Sequence, residues 1–188
     1  MNLEKYKRDA IFYLKDSKRY IYSAALIFFF FVLLGIVFSS KLGFIDEIIR
    51  KLVSNVSSLK GLQVGEFIFI NNVTAAFAGL VGGILFGIFP LFNIMSNGLV
   101  VGYVFSRVAR EVGIFEIWKI LPHGIFELPA IFISLGLGIR LGSFVFAHRP
   151  LKTLRERIYY SALVFVLIVI PLLLLAACIE GMLIDIFE

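Results

Sequence analysis

Residues 20–40 read YIYSAALIFFFFVLLGIVFSS, twenty-one residues in a row without a charged side chain. Wound as an α-helix at ~1.5 Å per residue, such a run crosses a hydrocarbon core about 30 Å thick. It does not read as a cleaved signal, because the tail before it is long and mixed in charge and no small-x-small site follows. Similar runs return at 67–89, closed by Pro90, and at 93–109, 122–147 and 158–179. The third is the shortest. From Ile94 to Ala109 it supplies about 16 residues and ~24 Å of helix, so it must tilt little, thin the bilayer, or begin inside the membrane.

Composition agrees with these runs. Of 188 residues, 60% are hydrophobic and 16% charged, where a soluble domain carries roughly a quarter charged. The mean hydropathy is +0.98. The expected fold is an all-α, polytopic membrane helix bundle, one integral membrane domain over residues 1–188 with about five transmembrane helices plus amphipathic interfacial helices. A soluble catalytic domain is excluded, since the longest stretch between apolar runs, Lys41 to Glu66, is below the ~40 residues that can fold without staples. The net charge of +5 lies beside the apolar runs, where it orients a membrane protein and meets anionic headgroups, so no nucleic acid partner is expected. Cys178 is the single cysteine, which excludes an intrachain disulfide.

Lysine and arginine set the expected orientation. Ten of them fall in the N-terminal tail (Lys5, Lys7, Arg8, Lys15, Lys18, Arg19) and in the loop after the fourth run (Arg149, Lys152, Arg155, Arg157), against seven on the other side (Lys41, Arg50, Lys51, Lys60, Arg107, Arg110, Lys119). The positive-inside bias puts the N-terminus in the cytoplasm and the C-terminus outside a multi-pass cell membrane protein. Residues 1–19 then form a basic interfacial helix at the inner face, with Leu3, Tyr6, Ala10, Tyr13 and Ser17 at helical spacing. Residues 41–66 form an outer amphipathic segment. There Ile45, Ile48, Ile49, Leu52, Val56 and Leu59 share one face, while Asp46 with Arg50 and Glu47 with Lys51 make i,i+4 pairs on the other.

Polar side chains inside apolar spans cost free energy and normally face the bundle interior. The spans hold Asn71, Asn72, Thr74, Asn93, Ser96, Asn97, His123, Glu127, Ser134 and Arg140. His123 and Glu127 are four apart on a helix that opens at Pro122, and with Asn71 and Asn72 they are expected to share one intramembrane polar layer near the outer face. Asn93, Asn97 and Arg140 are expected to form or flank a second, inner layer. Gly79, Gly83 and Gly87, Gly98 and Gly102, and Gly138 and Gly142 recur at four-residue spacing, which lets backbones approach and makes spans two, three and four the expected tight core. The same stripes could serve a homodimer.

A histidine and a glutamate are too few to hold a metal. No metal or other cofactor is expected. The sequence has no serine, histidine and aspartate set and no phosphate-cradling loop, so the reading is noncatalytic. Two roles stay open for the His123 and Glu127 layer: a hydrogen-bonded latch that fixes how helices meet, and proton or ion handling by a carboxylate in low dielectric beside a titratable imidazole.

At Asn71-Asn72, the glycine-rich span after it, Asn97-Gly98 with Gly102, and Pro122-His123-Gly124 followed by Glu127, the sequence resembles the stage II sporulation protein M family, a domain widespread in bacteria and archaea. The match is strong from Phe67 to Gly142 and extends to the flanking spans by hydropathy and order. The resemblance implies a five-span inner membrane protein that, in spore formers, works with envelope-remodelling hydrolases during engulfment as a noncatalytic membrane scaffold. The partners it implies are the lipid bilayer and envelope or peptidoglycan-remodelling proteins. A small transporter or ion-binding membrane protein is the alternative.

Overall fold

The structure, a computed structural model, describes residues 3–56, 62–115 and 121–187. Its elements are α1 (Leu3–Asp16), α2 (Lys18–Val37), α3 (Ile45–Val56), α4 (Leu62–Val81), α5 (Ile88–Glu111), α6 (Leu121–Gly142), α7 (Pro150–Val164) and α8 (Ile170–Phe187). No strand occurs among the described residues. Five stretches are long and apolar enough to cross a membrane: Lys18–Val37, Gln63–Gly82, Ile88–Glu111, Gly124–Phe146 and Pro150–Glu180. This is the expected all-α bundle of a multi-pass membrane protein. Phe29, Phe30, Leu33, Phe92, Val166 and Leu174 point outward, which suits a hydrocarbon solvent.

The third crossing is longer than the sequence suggests. Instead of a helix over 93–109 after a break at Pro90, α5 has 24 residues, about 36 Å. The reversal sits earlier: α4 stops at Val81, Gly82–Ile84 tighten into a 3-10 turn, and Phe86 (φ 56) and Gly87 (φ 74) adopt left-handed backbone. Pro90 then falls in the first turn of α5. Amides there have no intrahelical acceptor, so proline opens this helix and does not close the previous one. The fifth crossing likewise starts earlier, because α7, a π-helical turn at Phe165–Val169 and α8 run end to end. Pro171 has no amide to offer Leu167, and the wide turn just before it relieves the clash of its ring.

Helix α6 is the centre of the bundle. Half of its apolar span is buried, against 22–33% of the other four. On one side Ala130 and Leu137 join Ala76 and Leu80 of α4, Val164, Phe165, Val169 and Leu173 of the fifth crossing, and Ala10 and Tyr13 of α1. On the other, Phe132 and Leu135 meet Ala24, Phe28 and Val32 of α2 and Ile94 of α5. In lipid there is little hydrophobic force between helices, so close backbone packing has to hold such contacts.

Glycine supplies that approach, with one change from expectation. Gly79, Gly83, Gly87, Gly138 and Gly142 do join spans two, three and four: a Cβ on Gly83 would stand 2.1 Å from the Gly138 carbonyl oxygen, one on Gly138 2.6 Å from that of Gly79, and one on Gly142 2.1 Å from the Gly87 nitrogen. Gly98 and Gly102 do not belong to that core. Their Cβ atoms would stand 2.6 Å from the Phe28 oxygen and 2.1 Å from the Val32 oxygen, and a Cβ on Gly35 would stand 2.4 Å from the Leu99 oxygen. Span three therefore packs its glycine stripe on span one, because Gly35 offers α5 a matching small residue. All seven stripe glycines face neighbours within the chain.

Candidate functional site

The polar residues form groups at four levels of the bundle. The best connected lies at its N-terminal end. Arg140, in the last turn of α6, is 13% exposed at its side chain. Its guanidinium donates to Ser17 Oγ at 2.5 Å, to the Tyr13 carbonyl at 3.3 Å and to the Asp16 carboxylate, and its Cζ lies 4.1 Å over the Tyr13 ring. Ser17, which is fully buried, donates to the Tyr13 carbonyl at 2.7 Å. The Tyr13 hydroxyl meets Ser161 Oγ at 3.4 Å, and its ring stacks on Tyr160 at 5.4 Å. Burial raises the Tyr13 phenol above its ordinary value, with the Ser161 hydrogen bond and the charge of Arg140 pulling the other way. Arg157 donates to the Arg140 carbonyl and to Ser143 Oγ at 2.8 Å, and Ser143 Oγ also meets the Tyr20 hydroxyl at 3.2 Å.

This arrangement corrects the expected inner layer of Asn93, Asn97 and Arg140. Asn97 donates at 2.9 Å to both the carbonyl and the side-chain oxygen of Asn93, one turn back on α5. Arg140 lies on a different flank of α6 from Gly138 and Gly142, the residues that touch the start of α5, and it turns to α1. The basic tail is thus more than an interfacial anchor: its Ala10, Tyr13 and Ser17 face is buried against the bundle. The sequence signal was the break in that tail, where Asp16 and Ser17 interrupt the cations.

Midway, the hydroxyl of the fully buried Ser134 donates to the Ala76 carbonyl at 2.8 Å and ties α6 to α4. The expected outer layer lies farther along the same two helices, which run parallel. Gly83 faces Gly138, and Asn72 and Glu127 each precede their glycine by eleven residues, three helical turns. They therefore sit at one depth on facing stripes, both half-buried. Asn71 is exposed on the flank of α4. Among the described residues neither asparagine makes a side-chain hydrogen bond. His123 belongs to the first turn of α6, and its side chain lies outside the described residues.

At the far end the Asp46 carboxylate accepts the Tyr103 hydroxyl at 2.6 Å and an ion pair from Arg107, which also reaches Glu111 at 2.8 Å. The i,i+4 pairing of Asp46 with Arg50 is thus replaced by an inter-helix tether from α3 to α5. Ser106 donates to Ser39 Oγ at 2.9 Å nearby. The Tyr103 hydrogen bond holds the Asp46 carboxyl below its ordinary value, with the Arg107 charge helping it to outweigh desolvation, which acts the other way. Local spacing favoured Arg50, so this tether was not readable before the helices were assembled.

No solved structure matches the chain. Two uncharacterized proteins of the archaeon Methanocaldococcus jannaschii are similar to it. One is 28% identical over 172 residues, covering 86% of this chain and 76% of its own length. The other is 30% identical over 155 residues, covering 74% of this chain and 86% of its own. The family model described as stage II sporulation protein M matches residues 24–183, which takes in four of the five membrane-compatible stretches whole, the first from residue 24 on, and the polar groups but for Tyr13, Asp16, Ser17 and Tyr20. The chain belongs to the stage II sporulation protein M family.

Proposed function

We propose that this protein is a noncatalytic scaffold of the cytoplasmic membrane, N-terminus inside, that holds envelope or peptidoglycan-remodelling proteins at the bilayer. One observation supports the reading most. Among the described residues every buried side-chain nitrogen and oxygen has a hydrogen-bond partner, and those partners lie largely on other helices: Ser134 on α4, Arg140 on α1, Tyr13 on α7. Closed pairs of this kind between helices stiffen a bundle and fix how its helices meet, which is what a scaffold needs. The family resemblance supplies the envelope context.

A second reading, a small transporter or ion-binding protein, draws on Asn72 and Glu127 at one depth between α4 and α6. The two readings separate at Glu127. Glutamine keeps the volume and hydrogen-bonding capacity of the side chain and removes only the charge, while alanine removes both. For a scaffold, Glu127→Gln keeps the wild-type melting temperature and the same partners on crosslinking from native membranes. Glu127→Ala then lowers the melt, by the ~0.6 to ~2 kcal/mol of an intramembrane hydrogen bond. For a transporter, Glu127→Gln folds like wild type and is as inactive as alanine in ion flux from proteoliposomes, since exchange needs an ionisable group. That second pattern would overturn the scaffold.

A further inference from the structure

Beside the Arg140 latch, a cavity of about 270 Å³ opens among the first turn of α2, the end of α6 and α7. Its wall consists of Asp16, Lys18, Arg19, Tyr20, Arg140 and Arg157, four cations to one carboxylate. That carboxylate already pairs with Arg140. Lys18, Arg19 and Arg157 make no ion pair among the described residues. Three of the four cations are also held in place: Arg157 by the Arg140 carbonyl and Ser143, Arg19 by the Tyr20 ring 5.0 Å from its Cζ, Arg140 by Ser17 and Tyr13.

Fixed like charges around a common space repel one another, and an anion that enters the space relieves the repulsion. Guanidinium forks suit the oxygens of a tetrahedral oxyanion, which accept paired N–H donors. The cavity lies where the apolar stretches of α2 and α6 end, the depth of phospholipid headgroups. From this geometry we infer that the cavity is a binding site for a phosphate group, carried by an anionic phospholipid or by a soluble phosphate.

The test uses the full chain in nanodiscs of phosphatidylcholine alone, of phosphatidylcholine with added inorganic phosphate, and of phosphatidylcholine with phosphatidylglycerol. Melting temperature and lipid retention by native mass spectrometry are read in each. The cavity variant is Lys18→Gln with Arg19→Gln, which leaves the Arg140 latch intact. The control is Lys152→Gln with Arg155→Gln, an equal loss of charge on the exposed start of α7 outside the cavity. Lys18→Gln alone serves if the cavity pair does not fold. Wild type should melt higher with phosphatidylglycerol and retain it over phosphatidylcholine; the cavity variant should lose about tenfold of that preference and the control less than threefold, as directed charge-assisted contacts require. A stabilisation by inorganic phosphate with the same dependence on Lys18 and Arg19 would assign the group to a soluble source and keep the site. Equal losses in cavity variant and control would mean diffuse attraction to an anionic surface and overturn the proposal. So would a wild type that responds to neither phosphate nor phosphatidylglycerol.

Discussion

Gly102 has no room for a methyl group. Its Cβ would lie 2.1 Å from a backbone oxygen of α2, and backbone cannot rotate away as a side chain can. Gly102→Ala should therefore push α2 and α5 apart and lower stability by ~1–3 kcal/mol, the usual range for overpacking, read as a lower melting temperature in detergent. Among the described residues Gly43 has nothing within 4 Å of a Cβ, so Gly43→Ala is the matched control and should stay within ~0.5 kcal/mol. Gly124, part of the Pro122-His123-Gly124 stretch that carries the family resemblance, behaves like Gly43 in one respect: the nearest atom to its Cβ is Leu128 Cδ1, at an ordinary 3.7 Å. Packing against the described residues does not require glycine there, and alanine is the better helix former by up to ~1 kcal/mol. Gly124→Ala should keep or raise the melting temperature; a fall of more than ~1 kcal/mol would contradict this.

Two helices are attached to the bundle by charges, one at each end. Helix α1 depends on the forked guanidinium of Arg140, which serves Ser17, Tyr13 and Asp16 together and stacks on an aromatic face. Lysine keeps the charge and loses the fork. Arg140→Lys should cost ~1–3 kcal/mol and raise hydrogen exchange in α1 before any other helix; unchanged protection of α1 would show that its apolar face alone holds it. Helix α3 depends on Asp46. Because the folded carboxyl is held below its ordinary value of 3.8, this tether contributes in full above the unfolded value and is lost as pH falls through the lower folded one. Exchange of the α3 amides should then be slow at neutral pH and rise below about pH 4, and Asp46→Asn should show the fast exchange already at pH 7. Equal exchange in wild type and Asp46→Asn at pH 7 would remove the tether from the account.

Over the whole molecule, α1, the last turn of α6 and the basic start of α7 share one end, while Gly43, α3 and the start of α6 share the other. That division makes the charge asymmetry testable. In a Cys178→Ala background, an impermeant thiol reagent on intact cells should label Gly43→Cys and leave Lys5→Cys and Lys152→Cys unlabelled until the membrane is opened. Ser17 is unsuitable as a probe because it is fully buried. The reverse labelling would invert the protein and move the cavity of Lys18, Arg19 and Arg157 to the outer leaflet. The glycine stripes give no separate support to a homodimer, since each already faces a neighbour in the chain.

The apolar runs determined by themselves that this chain forms a bundle of five membrane-compatible helices, because a hydrocarbon solvent leaves every backbone amide only a helix or a closed barrel in which to be satisfied. They also determined that glycine would mediate its packing, and the ordered motifs placed it in its family. Helix ends were less legible: Pro90 reads as a stop for span two and is a start for span three, since proline is tolerated in a first turn and the actual reversal lies in the left-handed backbone of Phe86 and Gly87. Partner choice was not legible. Helical periodicity gives the face a residue occupies and not the helix it meets, so Arg140 could be assigned to Asn93 and Asn97 by depth alone, and Gly98 and Gly102 to spans two and four by spacing alone. Only the tertiary structure decided that Arg140 bonds α1, that Gly102 lies on Gly35, and that Asp46 leaves its own helix for Tyr103 and Arg107. Each of these is a contact between residues far apart in sequence, set by which helices the fold brings side by side.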